Sequence, residues 1–127
     1  MDGTLDACRE LGITLIAYSP LGMGMLTGKY YAQHRAGGFF RRILPNFNRK
    51  TMLAVQPVLN LLHQIGEKYS KTPSQVAIRW LIENEAVLPI PGAKNGAQAS
   101  ENAGSLSFNL TEQELDQLNQ ATMAWRK

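Results

Sequence analysis

Residues 13–18 read Ile-Thr-Leu-Ile-Ala-Tyr, and residues 86–90 read Ala-Val-Leu-Pro-Ile. Both runs are short and nearly all apolar, a composition typical of parallel strands that are buried on both faces. Pro89 weakens the second prediction near its end, because proline has no N–H group to donate to a neighbouring strand. Helical patterns lie before, between and after the two runs. The sequence therefore predicts an α/β fold with parallel pairing.

The first part of the chain predicts one helix and two loops around the first strand. Residues 5–11 predict the end of a helix, and Gly12 follows in the position that favours a left-handed cap. Residues 19–24 predict the loop that follows the strand. Residues 29–49 show no clear hydrophobic period, which predicts a long loop.

Four helices are predicted after this loop. The first begins near Val55 with Pro57 in its first turn, and its apolar residues recur at helical spacing: Val58, Leu61, Leu62, Ile65 and Tyr69. The other three begin with capping-box spacing, namely Thr72 with Gln75, Asn95 with Gln98, and Thr111 with Glu114. Pro73 fits the first helical position after Thr72, and the buried stripe of that helix is predicted to be Val76, Ala77, Trp80 and Leu81. The helix opened by Asn95 is expected to stop near Gly104, and the last helix places Leu115 and Leu118 on one face.

Composition excludes several classes of protein. The 127 residues suffice for one domain, and 44% hydrophobic with 18% charged residues is globular. No apolar run approaches the ~20 residues that a membrane-spanning helix needs. A single cysteine, Cys8, excludes an internal disulfide and a cysteine-rich metal site, and we expect it to be a buried small hydrophobe. No secretory signal is visible, so we expect a cytoplasmic protein, with an organelle transit peptide on a longer precursor as the alternative.

Positive charge is concentrated in one stretch of the chain. No Asp or Glu lies between Leu11 and Gly66, whereas that stretch has six basic residues: Lys29, Arg35, Arg41, Arg42, Arg49 and Lys50. Such a region attracts anions, and phosphate is the natural candidate, although a solvated basic loop is an open alternative. Phe39, Phe40 and Phe47 lie among the arginines as base-stacking residues would, but we rank nucleic acid low and expect neither nucleic acid nor a membrane as a partner.

Two segments at predicted strand ends carry candidate binding chemistry. In residues 18–29, Gly22 and Gly24 allow backbone N–H groups to approach a phosphate, while Ser19 offers a hydroxyl and Tyr18 a flat face. The alternative is a plain strand-to-loop turn with a buried tyrosine.

The second segment, residues 90–102, follows a strand and opens a helix, which makes an anion site beside Lys94. Gln98 and Asn102 lie on one helix face, where both could bond the edge of a base. The alternative here is an ordinary capped loop.

Five motifs in order resemble the carboxyl-terminal part of the aldo/keto reductase family. They are AYSPLGMGMLTGKY at residues 17–30, QVAIRWL at 75–81, PIPGAKN at 89–95, Gln98 with Glu101 and Asn102, and LTEQEL at 110–115. The resemblance covers nearly the whole chain and is weakest over residues 31–60.

The resemblance implies a (β/α)₈ TIM barrel that binds NADP(H) and reduces carbonyls by hydride transfer. Residues 1–127 then form a carboxyl-terminal fragment of the reductase domain, with residues 13–18 and 86–90 as the last two strands. A whole barrel takes about 250 residues. The family's catalytic Asp, Tyr, Lys and His lie on the first four strands, so no catalytic residue is predicted in this chain, and His34 and His63 are expected to be non-catalytic.

The resemblance also implies a set of cofactor-binding residues. Tyr18 would stack on the nicotinamide, and residues 92–94 would hold the 2′-phosphate. The first segment contributes Tyr18, Ser19, Pro20, Leu21, Gly22, Gly24 and Lys29, of which Ser19, Leu21 and residues 22–24 correspond to the pyrophosphate loop. The second contributes Ile90, Gly92, Ala93, Lys94, Gln98, Glu101 and Asn102, of which the last three correspond to the adenine and ribose contacts.

Two functions are weighed on this basis. The first is a reductase, with a small carbonyl substrate in the full-length protein, of which this chain is the cofactor-binding portion. The alternative is a half-barrel that binds NADP(H) or another phosphate ligand without catalysis. In either case the apolar face and edges of a two-stranded sheet predict self-association across the open side.

Overall fold

The computed structural model describes residues 3–29 and 48–123, which contain five α-helices and two strands. The elements are α1 (Thr4–Glu10), β1 (Leu15–Tyr18), α2 (Arg49–Tyr69), α3 (Pro73–Ile82), β2 (Val87–Ile90), α4 (Gly96–Ala103) and α5 (Glu112–Met123). A 3₁₀ segment interrupted by a kink at Met23 and Gly24 lies at Gly22–Thr27, and a second 3₁₀ segment lies at Gly104–Leu106. The predicted order of helices and strands is confirmed. Most of the predicted long loop lies outside the described residues.

The two strands form a parallel pair, as predicted. Leu15 lies opposite Val87, and Tyr18 opposite Ile90. β1 begins two residues later than predicted, because the N–H of Ile13 donates to the carbonyl of Cys8 at 2.8 Å instead of to a strand. β2 begins one residue later, although the carbonyl of Ala86 still accepts from the N–H of Leu15 at 2.7 Å.

Only one face of the sheet is covered within the described residues. Leu15, Ala17, Val87 and Pro89 are half-buried, and α3 packs against β2. The opposite face is apolar and exposed, with relative exposures of 61%, 82%, 53% and 50% for Ile16, Tyr18, Leu88 and Ile90. The strands have the composition of strands buried on both faces, but the helices of the described residues lie on one side only. This exposed face is the open side predicted for a two-stranded sheet.

The sequence shows helical signals from near Leu53 and favours a start near Val55 because of Pro57, and this predicted start of α2 is wrong. The helix begins at Arg49, where the Asn48 side chain accepts from the N–H of Thr51 at 2.8 Å, and Pro57 lies inside it. A proline in a helix interior costs about 3 kcal/mol. A row of buried residues spanning both sides of Pro57 offsets that cost: Met52, Val55, Val58, Leu59, Leu62 and Ile65.

The hydrophobic core lies between α2, α3 and α5. Its fully covered residues include Leu59, Leu62, Val76 and Leu118. Of the predicted apolar positions, Leu61, Tyr69, Trp80 and Leu115 are partly buried against this core, and Leu81 is half-buried. The prediction for Cys8 is wrong, because the side chain is only half-buried and α1 has no buried residue.

Local capping signals are the most accurate predictions. Thr72 with Gln75 forms a complete capping box, with Pro73 at the first helical position. Thr111 and Glu114 exchange the same pair of hydrogen bonds, at 2.8 and 3.3 Å. Gly12 has a φ of 65°, as its predicted cap position requires. Among the helices of residues 3–29 and 48–123, none combines the length and apolar character needed to cross a membrane.

Candidate functional site

The loops that follow β1 and β2 leave the sheet from the same edge. Tyr18 and Ile90 are the last residues of the two parallel strands and lie opposite each other. Ligands of α/β proteins bind beyond the carboxyl ends of such strands. The register therefore brings the two segments that the sequence singled out to one end of the sheet.

The loop after β1 contains four residues with left-handed backbone conformations. Ser19, Gly22, Met23 and Gly24 have φ values of 54°, 55°, 56° and 97°. The N–H of Gly22 donates to Ser19 O at 2.9 Å, and the N–H of Gly24 to Leu21 O at 3.0 Å. These two N–H groups were expected to face a phosphate. In the structure both N–H groups bond within the loop, because consecutive tight turns direct each N–H to a carbonyl three residues back.

The carboxyl-terminal part of this loop is anchored in the hydrophobic core, and the loop ends at the cationic Lys29. Met25 and Leu26 are buried in the core, and Leu21 packs against it. The Thr27 hydroxyl donates to Gly24 O at 2.6 Å and accepts from the N–H of Lys29 at 3.3 Å. Lys29 is exposed, and Pro20, two residues after Tyr18, is half-buried. The loop is thus rigidly held while its Tyr18 ring and Lys29 remain accessible.

The loop after β2 is tied to α4 by side-chain hydrogen bonds. The Asn95 side chain accepts from the N–H of Gln98 at 2.9 Å, which caps the helix as predicted. Gln98 does not complete the box at Asn95; its side-chain oxygen accepts from the N–H of Lys94 at 2.8 Å. The Asn102 amide donates to Gly92 O at 3.3 Å. The two side chains expected at a base edge therefore fix the loop itself.

The tip of this loop has room and positive charge for an anion. A Cβ atom at Gly92 or Gly96 would have no heavy-atom neighbour within 4 Å, and neither glycine has a positive φ. No contact within the described residues requires glycine at these two positions. Ala93 and Lys94 are exposed, and Lys94 forms no salt bridge within the described residues. The N–H of Gln98 is capped by Asn95, which leaves the N–H groups of Gly96 and Ala97 at the start of α4 without an intrahelical acceptor. These features fit a phosphate group.

Glu101 lies away from this tip. Its carboxylate accepts from the Thr72 hydroxyl at 3.0 Å, and its backbone carbonyl accepts from the Gln75 amide at 2.9 Å. The structure therefore places Glu101 at the contact between α3 and α4. The sequence showed Thr72 and Gln75 as a helix cap, but no spacing rule connects a cap to a helix 26 residues later.

Of the two histidines, only His63 lies within the described residues. His63 is exposed on α2, and its Nε2 would lie 3.2 Å from a Cβ built at Gly28. His34 lies outside the described residues. In the part of the chain that the structure describes, no group of three or more His, Cys, Asp or Glu side chains is placed to hold a metal ion.

Comparison with known proteins identifies relatives over nearly the whole chain. The model of the aldo/keto reductase family matches residues 2–122. The chain is 44% identical over 118 residues to a chloroplastic pyridoxal reductase of Arabidopsis thaliana, covering 90% of this chain and 30% of that protein. It is 32% identical over 121 residues to an NADP(+) aldo-keto reductase of Schizosaccharomyces pombe, covering 94% and 36%. The chain thus spans about a third of the length of these relatives.

A solved structure shows the same fold. The glycerol dehydrogenase of Gluconobacter oxydans superposes with a TM-score of 0.81 at 22% identity, covering 93% of this chain and 36% of that one. This likeness in fold supports a partial barrel.

Proposed function

The chain belongs to the aldo/keto reductase family, and on that basis we propose that residues 1–127 form the carboxyl-terminal, cofactor-binding portion of an NADP(H)-dependent oxidoreductase that reduces carbonyls. In this proposal β1 and β2 correspond to the last two strands of a TIM barrel. The observation that supports this proposal is that the loops after both strands leave the sheet at the same end, where Lys94 is exposed beside the open Gly92. The name of the Schizosaccharomyces pombe relative, which includes NADP(+), supports the choice of cofactor.

The residues of this chain would bind and orient the cofactor. Tyr18 presents an exposed ring at the end of β1, where it can stack on a flat heterocycle. Lys94 and the first N–H groups of α4 attract a phosphate, and the loop holding Lys94 is fixed by Gln98. Bound NADPH supplies the hydride for carbonyl reduction. The proton donor for the carbonyl oxygen would come from family strands that have no counterpart in this chain.

The first prediction concerns the choice between NADPH and NADH. Lys94→Ala removes the cation proposed to contact the 2′-phosphate. A charge-assisted hydrogen bond contributes about 1.5–3 kcal/mol, so NADPH binding should weaken about 10- to 100-fold. NADH lacks this phosphate, and its dissociation constant should change little. Titration of the chain with each nucleotide, followed by nucleotide fluorescence, measures both constants.

Lys50→Ala is the matched control, because it removes one exposed lysine from the start of α2. It should leave the ratio of the two dissociation constants unchanged. Equal weakening of NADPH and NADH by Lys94→Ala would overturn the assignment of the 2′-phosphate to this loop.

The second prediction concerns the exposed sheet face formed by Ile16, Tyr18, Leu88 and Ile90. We propose that the isolated chain covers this face by self-association, because apolar patches of this kind are seldom left in water. Charging the face with Ile16→Lys and Leu88→Lys should shift the chain toward monomer in size-exclusion chromatography with light scattering. Leu106→Lys, at an equally exposed leucine elsewhere, is the control. A wild-type chain that is monomeric and unfolds in one sharp transition would refute this prediction.

A further inference from the structure

The Gln75 side chain connects two helices. Its oxygen accepts from the N–H of Thr72 at 2.9 Å, which completes the cap of α3. Its amide nitrogen donates to Glu101 O of α4 at 2.9 Å. One side chain therefore caps the start of α3 and holds the carboxyl-terminal half of α4 at the same time.

Gly104 provides the space that this contact needs. A Cβ atom at Gly104 would overlap the Gln75 amide nitrogen. The φ of Gly104 is −60°, which any residue adopts, so the backbone conformation does not require glycine there. Glycine at 104 leaves room for the Gln75 amide, which the side chain of a larger residue would displace.

Hydrogen bonds matter more for α4 than for α2, α3 and α5, each of which has buried residues. None of the residues of α4 is buried, so little apolar area holds it in place. The contacts that do hold it are polar: Gln75 to Glu101 O, and the Thr72 hydroxyl to the Glu101 carboxylate at 3.0 Å. Directional bonds of this kind determine the position of α4 along α3.

The position of α4 is transmitted to the loop that carries Lys94. Gln98 and Asn102, both on α4, bond Lys94 N and Gly92 O at 2.8 and 3.3 Å. We infer that Gln75 is a positioning residue for the cofactor's 2′-phosphate, acting through α4 on Lys94. This inference rests on the proposed function for the choice of ligand, but the contact between Gln75 and α4 is tested separately.

The variant that isolates this role is Gln75→Glu. A glutamate keeps an oxygen for the Thr72 N–H and so preserves the capping box, but it cannot donate to Glu101 O. Gln64→Glu is the matched control, because it makes the same charge change at an exposed position of α2. Amide hydrogen exchange of the full 127-residue chain should show protection of residues 99–103 falling about 10-fold in Gln75→Glu, with α2 and α3 unchanged.

Nucleotide binding gives the second measurement. Displacing Lys94 should reduce the preference for NADPH over NADH about 3- to 10-fold, the loss of one hydrogen bond's contribution. A purely structural role would lower the folded fraction and weaken both nucleotides equally. Gly104→Ala should act in the same way, because its new methyl group displaces the Gln75 amide. In a Gln75→Ala background, Gly104→Ala should have no further effect on the preference.

The outcomes separate the inference from the proposed function. Unchanged protection of α4 in Gln75→Glu would overturn the inference, whatever binds. Reduced protection with an unchanged nucleotide preference would overturn it too, provided that Lys94→Ala reduces the preference. If neither Lys94→Ala nor Gln75→Glu affects the preference while α4 loses protection, the assignment of the 2′-phosphate fails, and with it the ligand part of the inference.

Discussion

Gly66→Ala is expected to destabilise the protein by about 3 kcal/mol, a large effect for the addition of one methyl group. Alanine in a helix interior is normally about 0.5–1 kcal/mol better than glycine. At Gly66 the new Cβ would overlap the carbonyl oxygen of Lys71, which belongs to the backbone and cannot rotate away. The chain folds back there because the N–H of Lys71 donates to Gly66 O at 2.8 Å.

The measurement is thermal or urea unfolding followed by circular dichroism, with Gly96→Ala as the control. Gly96 is also helical, but a Cβ at that position meets nothing within 4 Å. Gly96→Ala should leave stability unchanged or raise it slightly. If the two variants have the same free energy of unfolding, the close approach of Lys71 to α2 is wrong.

Glu114→Ala is expected to lower the free energy of unfolding by about 2–3 kcal/mol at neutral pH, because three hydrogen bonds to a charged acceptor are lost. Glu114 is buried, and Lys68 Nζ lies 2.7 Å from one carboxylate oxygen. The Tyr69 hydroxyl and the N–H of Thr111 donate to the other oxygen, at 2.9 and 2.8 Å. This one side chain joins the end of α2 to the start of α5.

The same site makes stability depend on pH. Burial raises the pKa of Glu114, but the hydrogen bonds from Lys68, the Thr111 N–H and Tyr69 outweigh it and lower the pKa to about 2. A carboxylate with a lowered pKa stabilises the folded state fully above its ordinary pKa of 4.5. That contribution is lost as the pH falls from this value toward about 2. Wild-type stability should therefore decline over this window, and much less so in Glu114→Ala.

Glu67→Gln is the control for this experiment, because Glu67 is exposed on α2. It should retain the wild-type decline. Part of the decline should also persist in Glu114→Ala, because the hydrogen bond from Arg79 lowers the pKa of Glu83, against the opposing effect of burial. Identical pH profiles for wild type and Glu114→Ala would contradict the assigned network.

The sequence predicted best where structure depends on neighbouring residues. The caps at Thr72 and Thr111 involve partners three residues away, and both were confirmed. The start of α2 was predicted wrongly because the sequence shows the local cost of Pro57 in a helix but not the core packing that outweighs this cost. The second bond of Gln75 and the contact of Lys68 with Glu114 join residues 26 and 46 positions apart. Such contacts depend on tertiary packing and have no local signal.

In the candidate site too, the placement of whole segments was predicted better than the contacts of individual groups. Strand ends and loop composition predicted which two segments meet, and the parallel register places them at one edge. The roles of individual polar groups within those segments were less predictable. Gly22 N–H, Gln98 and Asn102 each have a proposed ligand, and each also bonds to the chain's own backbone. A sequence pattern indicates which donors are present, whereas the fold determines which of them are already used.

The parallel register of β1 and β2 has a consequence for how such a chain can change in evolution. Deleting one residue from either strand would exchange its two faces, so that Leu88 and Ile90 would turn toward the helices and Val87 away from them. The same deletion would draw the following loop back by about 3.3 Å. Insertions and deletions within the strands are therefore excluded by the scaffold. Residues 92–94 are exposed and lie outside the hydrophobic core, so the proposed ligand preference could diverge there while the strands and helices stay fixed.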